Sequence, residues 1–160
     1  MVNKILIFLI FFAINNCGFT PIYKLNENLN FKINKITFKG DRLINNYLES
    51  KFKRYNEKKE KEFLLALTSS YSKIALSKDS TGKITDYKLS LKITIDVKEI
   101  NINNHENFEG YINTFEYEEE FILQDENFKF KETNYENNIK KNLADTIFNK
   151  FIISLTKRWF

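Results

Sequence analysis

The single cysteine of the 160-residue chain, Cys17, is the residue whose position most clearly predicts chemistry. It follows an unbroken apolar run, Ile5–Ile14, and the pair Asn15 and Asn16, and Lys4 places one positive charge before the run. A membrane-spanning helix needs about 20 apolar residues, whereas the apolar part of a signal peptide has about 7 to 15. The run therefore predicts a removable export signal and not a permanent membrane helix.

The spacing of Ile14 and Cys17 fits the lipobox of bacterial lipoproteins, in which an aliphatic residue stands three positions before an obligatory cysteine. The thiol of that cysteine receives a diacylglyceryl group, and cleavage then frees its amine for a third acyl chain. Asn15 and Asn16 depart from the small residues that usually precede the cysteine. A buried thiol, or an ordinary signal peptide that is cut nearby, is the alternative explanation. An unpaired cysteine in an exported chain favours lipidation.

These observations predict the organisation of the chain. Residues 1–16 are expected to be removed, residues 17–30 to form a lipidated tether, and residues 31–160 to fold as one domain. The acyl and diacylglyceryl groups on Cys17 would be the only attached groups, and several chains anchor a protein stably. Gly18 stands where an Asp would favour retention in the inner membrane, so the outer membrane is the expected location.

The remaining residue types exclude several kinds of active site. One His and one Cys cannot build a metal cage, and four scattered Gly leave no phosphate-binding loop. His105 is therefore interpreted as structural or solvated. Strand alternation points three of the four residues Glu116, Glu118, Glu119 and Glu120 to one face, and no Asp-Gly loop accompanies them, which favours a solvated strand face over a calcium site. We expect neither an enzyme nor a metal protein.

The net charge of +4 and the pI near 9.0 raise nucleic acid or anionic lipid as partners. The chain is rich in Lys, Asn and Ile, whose codons are AT-rich, so genome composition is a competing explanation for the basic balance. We expect no nucleic-acid partner. A basic nucleic-acid-binding α+β module, with a misread N-terminal segment, remains an alternative.

The mature chain begins with a predicted strand and helix. The apolar residues between Leu29 and Phe38 change phase between Ile33 and Ile36, which predicts a strand with a bulge. Asp41 is a suitable N-cap for an amphipathic helix that runs to about Tyr55.

Three strands and a long helix are predicted next. Residues 62–76, 87–97 and 111–123 alternate between apolar and polar side chains, and residues 78–83 form a turn between the first two of these strands. A final amphipathic helix would be capped by Asp125 or Thr133. The order β-α-β-β-β-α predicts an α+β two-layer sandwich, a four-stranded sheet covered by two helices. Most of five aromatic residues are expected in its core, with any surplus on the surface: Phe115, Tyr117, Phe121, Phe148 and Phe151.

The mature N-terminus, Cys17-Gly18-Phe19-Thr20-Pro21-Ile22-Tyr23, resembles the Cys-Gly-Phe-x-Pro-Leu-Tyr opening of the lipopolysaccharide-assembly lipoprotein family LptE. Two later segments match family patterns in the same order. Residues 87–91 resemble a Tyr-x-Leu-x-Val strand, and residues 143–147 resemble Leu-Ala-Asp-x-Ile in the final helix. The resemblance spans the mature chain, although beyond the opening heptad it is one of pattern more than of identity.

The resemblance implies a protein tethered to the periplasmic side of the outer membrane. Such a protein is the plug of the β-barrel LptD, assists the assembly of that barrel and binds lipopolysaccharide. The family's favoured contact region is the loop between the second and third strands, which implies Lys78 and Lys83, together with Lys73, as lipopolysaccharide contacts. Solvated turn lysines are the alternative.

The sequence leaves two further assignments open. Pro21 and Tyr23 would contact the barrel or form a stiff exit from the anchor. A generic outer-membrane scaffold lipoprotein with another partner is the alternative function.

Overall fold

A computed structural model describes residues 31–55, 61–100, 112–124 and 132–159. In these residues a four-stranded mixed sheet packs against two helices, so the predicted α+β fold and its β-α-β-β-β-α order are confirmed. The elements are β1 (Phe31–Gly40), α1 (Arg42–Phe52) with a 3-10 turn (Lys53–Tyr55), β2 (Lys61–Lys78), β3 (Ile84–Ile100), β4 (Ile112–Gln124) and α2 (Glu132–Trp159).

The strands follow one another across the sheet in chain order. β1 is parallel to β2, whereas β2 with β3 and β3 with β4 are antiparallel. The register of β1 shifts between Ile33 and Lys35, so the predicted bulge is confirmed at the point where the apolar phase changes. Helix α1 provides the crossover that two parallel neighbours require.

The junction between β1 and α1 depends on two residues with different roles. Gly40 has a φ of 100°, which a residue with a side chain rarely adopts. Asp41 is the N-cap, because its Oδ1 accepts hydrogen bonds from the amides of Leu43 at 2.9 Å and Ile44 at 3.1 Å. The predicted cap is therefore confirmed.

The sheet has an inner face, which the helices cover, and an outer face, which they leave open. Along β3 the inner side chains from Leu89 to Val97 are buried at every second position, as strand alternation predicts. Phe151 of α2 is fully buried between Phe52 and Phe115. Burial of such a side chain contributes about 1.5–3 kcal/mol.

The aromatic predictions are confirmed in part. Phe148 and Phe151 are buried, and Phe115 and Tyr117 pack against the core while partly exposed. Phe121 is 38% exposed and is the one of the five that lies outside the core. It lies near the end of β4, opposite Leu89.

Helix α2 begins at Glu132, and this start decides between its two predicted N-caps only in part. Thr133 lies inside the helix, so it is not the N-cap, and Asp125 lies outside the described residues. The large apolar side chains on one side of α2 are buried: Ile139, Leu143, Ile147, Phe148, Phe151, Ile152 and Leu155.

Candidate functional site

Strands β2 and β3 extend beyond the parallel part of the sheet. The pairing of β1 with β2 ends at Gly40 and Ser69, whereas β2 continues to Lys78. We call residues 74–88, which form the outermost part of this extension and its turn, the hairpin end. β4 accompanies it, since Leu123 pairs with Tyr87 and Gln124 with Asp86.

The turn at the hairpin end is held by one carboxylate. Asp79 Oδ1 accepts hydrogen bonds from the amides of Thr81 at 2.8 Å and Lys83 at 3.0 Å, and from the Thr81 hydroxyl at 2.6 Å. The Thr81 hydroxyl is the main reason that the pKa of Asp79 lies below its ordinary value. Gly82 supplies the positive φ, 85°, of this turn.

The structure places two of the three candidate lysines at the turn. Lys78 ends β2 and Lys83 immediately precedes β3, and both are exposed. Lys73 lies elsewhere, and its grouping with the hairpin lysines is wrong. Its Nζ is 3.0 Å from Glu136 Oε2 of α2 and 4.4 Å from the ring centroid of Tyr87.

The sequence reasoning missed a group of aliphatic residues at the same end. Ile74 and Ile122 are 56% and 61% exposed, and each is opposite Lys88 in the strand register. Leu76, two residues further along β2, is 50% exposed. One residue in the sequence does indicate this group. After Glu116, Glu118 and Glu120, the next outward position of β4 holds an apolar residue, Ile122.

Between Ile122 and Ile112, the outward positions of β4 and the positions of β3 that face them are polar. Lys92 pairs with Glu116 at 3.3 Å, Ser90 donates to Glu118 at 2.8 Å, and Lys88 pairs with Glu120. The prediction that three of the four glutamates share one strand face is confirmed. In the described ranges no group of His, Cys, Asp and Glu is arranged to hold a metal ion.

A second polar cluster lies on the helical side, where the beginnings of both helices meet β2. We call Asp41, Tyr71, Lys73, Glu136 and Lys140 the junction cluster. Glu136 accepts from the Tyr71 hydroxyl at 2.9 Å and from Lys73. Lys140 lies 3.5 Å from Asp41 Oδ2 and 3.9 Å from the ring centroid of Tyr71. The cluster therefore links α1, β2 and α2.

Burial raises the pKa of Glu136, but this effect is outweighed by the hydrogen bonds from Lys73 and Tyr71 and by the charges of Lys73 and Lys140, so the pKa lies below its ordinary value of 4.5. A carboxyl whose pKa is lowered on folding stabilises the fold above the unfolded pKa and loses that contribution as the pH falls through the folded value.

We expect Glu136→Gln to lower the free energy of unfolding by about 1–2 kcal/mol at pH 7, because hydrogen bonds to a charged group are lost. The difference from the wild type should shrink as the pH falls from 4.5 towards 3. Urea denaturation at pH 7 and at pH 3, followed by the fluorescence of Trp159, measures the difference in the free energy of unfolding. A difference that is independent of pH would contradict this role for Glu136.

The residues 143–147, which match the Leu-Ala-Asp-x-Ile pattern, have a structural role in this fold. Leu143, Ala144 and Ile147 are buried, while the Asp145 carboxylate accepts from the Tyr47 hydroxyl at 3.1 Å and pairs with Lys51 at 2.5 Å. The hydrogen bond to Asp145 raises the pKa of Lys51 above its ordinary value. This motif joins the two helices to each other and does not contribute to the hairpin end.

Four residues singled out in the sequence, Cys17, Pro21, Tyr23 and His105, lie outside the described residues. In the part of the chain that is described, no helix is long and apolar enough to cross a bilayer.

The fold is similar to those of two solved lipoproteins. For the crystal structure of rare lipoprotein B from Shewanella oneidensis, the TM-score is 0.51 at 14% identity, over 79% of this chain and 100% of that chain. For a minor lipoprotein from Acinetobacter baumannii, the TM-score is 0.54 at 12% identity, over 81% of this chain and 93% of that chain. Comparisons of the sequence with protein-family models and with curated proteins give no match. The expected likeness is therefore confirmed at the level of the fold.

Proposed function

We propose that this chain is an outer-membrane lipoprotein that acts with an LptD-type β-barrel, as its plug and assembly factor, in the insertion of lipopolysaccharide at the cell surface. The observation that carries the proposal is the fold, which is similar to that of rare lipoprotein B, an LptE-like protein. The proposed role is one of binding and assembly and needs no covalent catalysis.

The N-terminal sequence supports the membrane-anchored part of the proposal. The apolar run Ile5–Ile14 followed by Cys17 is the arrangement that export and lipidation require. Acyl chains on Cys17 would hold the domain on the periplasmic side of the outer membrane without a spanning helix.

The outer face of the sheet supports the role as a plug. Its side chains on β3 and β4 are mostly hydroxyls and ion pairs, such as Ser90 with Glu118 and Lys92 with Glu116. The interior of an outer-membrane barrel is polar, so this polar part of the face, between Ile122 and Ile112, can lie against the barrel wall without burying unpaired polar groups in an apolar environment.

The hairpin end supports lipopolysaccharide as the ligand. Lipopolysaccharide presents phosphates, and Lys78 and Lys83 place two exposed ammonium groups on either side of the turn that Asp79 holds. Lysine binds phosphate as a point charge, so an exact hydrogen-bond geometry is not required.

We expect Lys78→Glu combined with Lys83→Glu to weaken the binding of purified lipopolysaccharide about tenfold, because each exposed ion pair contributes up to roughly 1 kcal/mol and reversal adds repulsion. The loss should diminish at high salt, since exposed charges are screened. Titration with lipopolysaccharide at low and high ionic strength measures both effects.

The matched control is Lys35→Glu combined with Lys39→Glu, which makes the same change of charge at two exposed positions of β1. This control should retain most of the affinity. Equal losses in the two double variants would show a response to net charge alone and would contradict a site at the hairpin end.

A further inference from the structure

Three exposed aliphatic side chains, Ile74, Leu76 and Ile122, form what we call the aliphatic patch. Ile74 and Ile122 lie on the outer face in one row, with Lys88 between them. Since neighbouring strands are about 4.8 Å apart, the two isoleucines are separated by about 10 Å. All three side chains are at least half exposed.

The composition of this row differs from that of the rows beside it. On the side away from the turn, the outward positions 68, 70 and 72 of β2 are Thr, Ser and Ser, and the outward positions 116, 118 and 120 of β4 are glutamates. A single exposed isoleucine needs no explanation. Several at one end of the sheet, separated from Ile112 by the polar outward positions of β3 and β4, indicate an interaction surface.

Cationic groups border the patch. Lys88 lies within the row and pairs with Glu120, and Lys78 follows Leu76 by two residues at the end of the same strand. Ile74 and Lys78 are separated by four steps along a strand whose register shifts between Ala75 and Ser77, which corresponds to at most about 13 Å. Apolar side chains are thus followed, in the direction of the turn, by ammonium groups.

This order of groups matches an amphiphile that carries anionic groups at one end and acyl chains at the other. We propose that the aliphatic patch binds acyl chains of the lipid A part of lipopolysaccharide, while Lys78 and Lys83 contact its phosphates. The inference rests on the proposed function, and it adds a separate apolar subsite on the outer face. Burial of the patch by lipid removes apolar surface from water, which supplies affinity that charge alone does not.

The test uses the full-length protein in cells, with a photo-crosslinking amino acid in place of one residue at a time. Ile122 reports on the patch, Lys83 reports on the turn, and Ile112 is the matched control. Ile112 is an isoleucine of the same strand and face, 64% exposed, at the opposite end of β4. After irradiation, adducts are detected with an antibody against lipopolysaccharide and by mass spectrometry for phospholipid.

We expect a lipopolysaccharide adduct at positions 122 and 83 and none at 112. An adduct at 83 without one at 122 would refute the patch and leave lipopolysaccharide binding intact. If no lipopolysaccharide adduct forms at position 122 or at position 83, both the acyl-chain subsite and the proposed binding of lipopolysaccharide are contradicted. Equal adducts at 122 and 112, or an adduct of phospholipid alone at 122, would also overturn the assignment.

A second measurement separates the apolar contribution from the ionic one. Ile74→Ser combined with Ile122→Ser should lower the affinity for intact lipopolysaccharide roughly tenfold, because two aliphatic contacts are lost. The affinity for deacylated lipopolysaccharide should stay unchanged, and Ile112→Ser should bind both ligands as the wild type does. An equal loss with both ligands would indicate a disturbed hairpin and not an acyl-chain subsite.

Discussion

Replacement of Cys17 by serine is expected to abolish incorporation of labelled fatty acid and to release the protein from the membrane fraction. The serine hydroxyl does not provide the thiol to which the diacylglyceryl group is transferred. Each buried methylene contributes about 0.8 kcal/mol to anchoring, so the loss of all chains removes the anchor. Metabolic labelling followed by fractionation measures both effects.

The control for this variant is Asn16→Ala, which places a small residue at the position before the cysteine. It should be labelled at least as well as the wild type, because small residues are usual there. A Cys17→Ser protein that is still labelled would contradict lipidation at this residue. An unlabelled, cytoplasmic wild type would contradict export altogether.

Gly40→Ala is expected to destabilise the fold strongly. A Cβ at Gly40 would lie 1.8 Å from the backbone oxygen of Ser69, in the strand that pairs with β1. The φ of 100° adds strain for any residue with a side chain. We expect a loss of about 3 kcal/mol or more, which is a large part of a typical domain stability of roughly 5–15 kcal/mol.

Gly82→Ala is the matched control, since Gly82 also has a positive φ but its added Cβ would meet no atom within 4 Å. It should cost only about 1 kcal/mol. Urea denaturation reports the difference through Trp159, whose ring packs against Phe63 at 5.3 Å between centroids. Equal destabilisation by the two substitutions would contradict the described packing of β1 against β2.

Local patterns in the sequence were sufficient to predict the elements of this fold. The alternation along β3 identifies its buried side, because successive side chains of a strand point to opposite faces. Asp41 identifies the start of α1, because its carboxylate can accept the first free amides. These predictions require only the residues of one element, and the structure confirms them.

What local patterns did not predict is where one element ends relative to another. Phe121 has the spacing of a core residue, yet it remains 38% exposed near the end of β4. The position of Lys73 in the sequence groups it with the turn lysines. The register of the sheet instead places it opposite Leu89, where Glu136 of α2 forms an ion pair with it. The aliphatic patch depends on the same register, since Ile74 and Ile122 are far apart in sequence.

The most direct test of the central proposal is affinity purification of the lipidated protein from membranes under gentle extraction. We expect a large outer-membrane β-barrel of the LptD type to copurify in a stable complex, with lipopolysaccharide present. Recovery of the lipidated protein without such a barrel, or with a different partner, would contradict the plug function and would favour a generic scaffold lipoprotein.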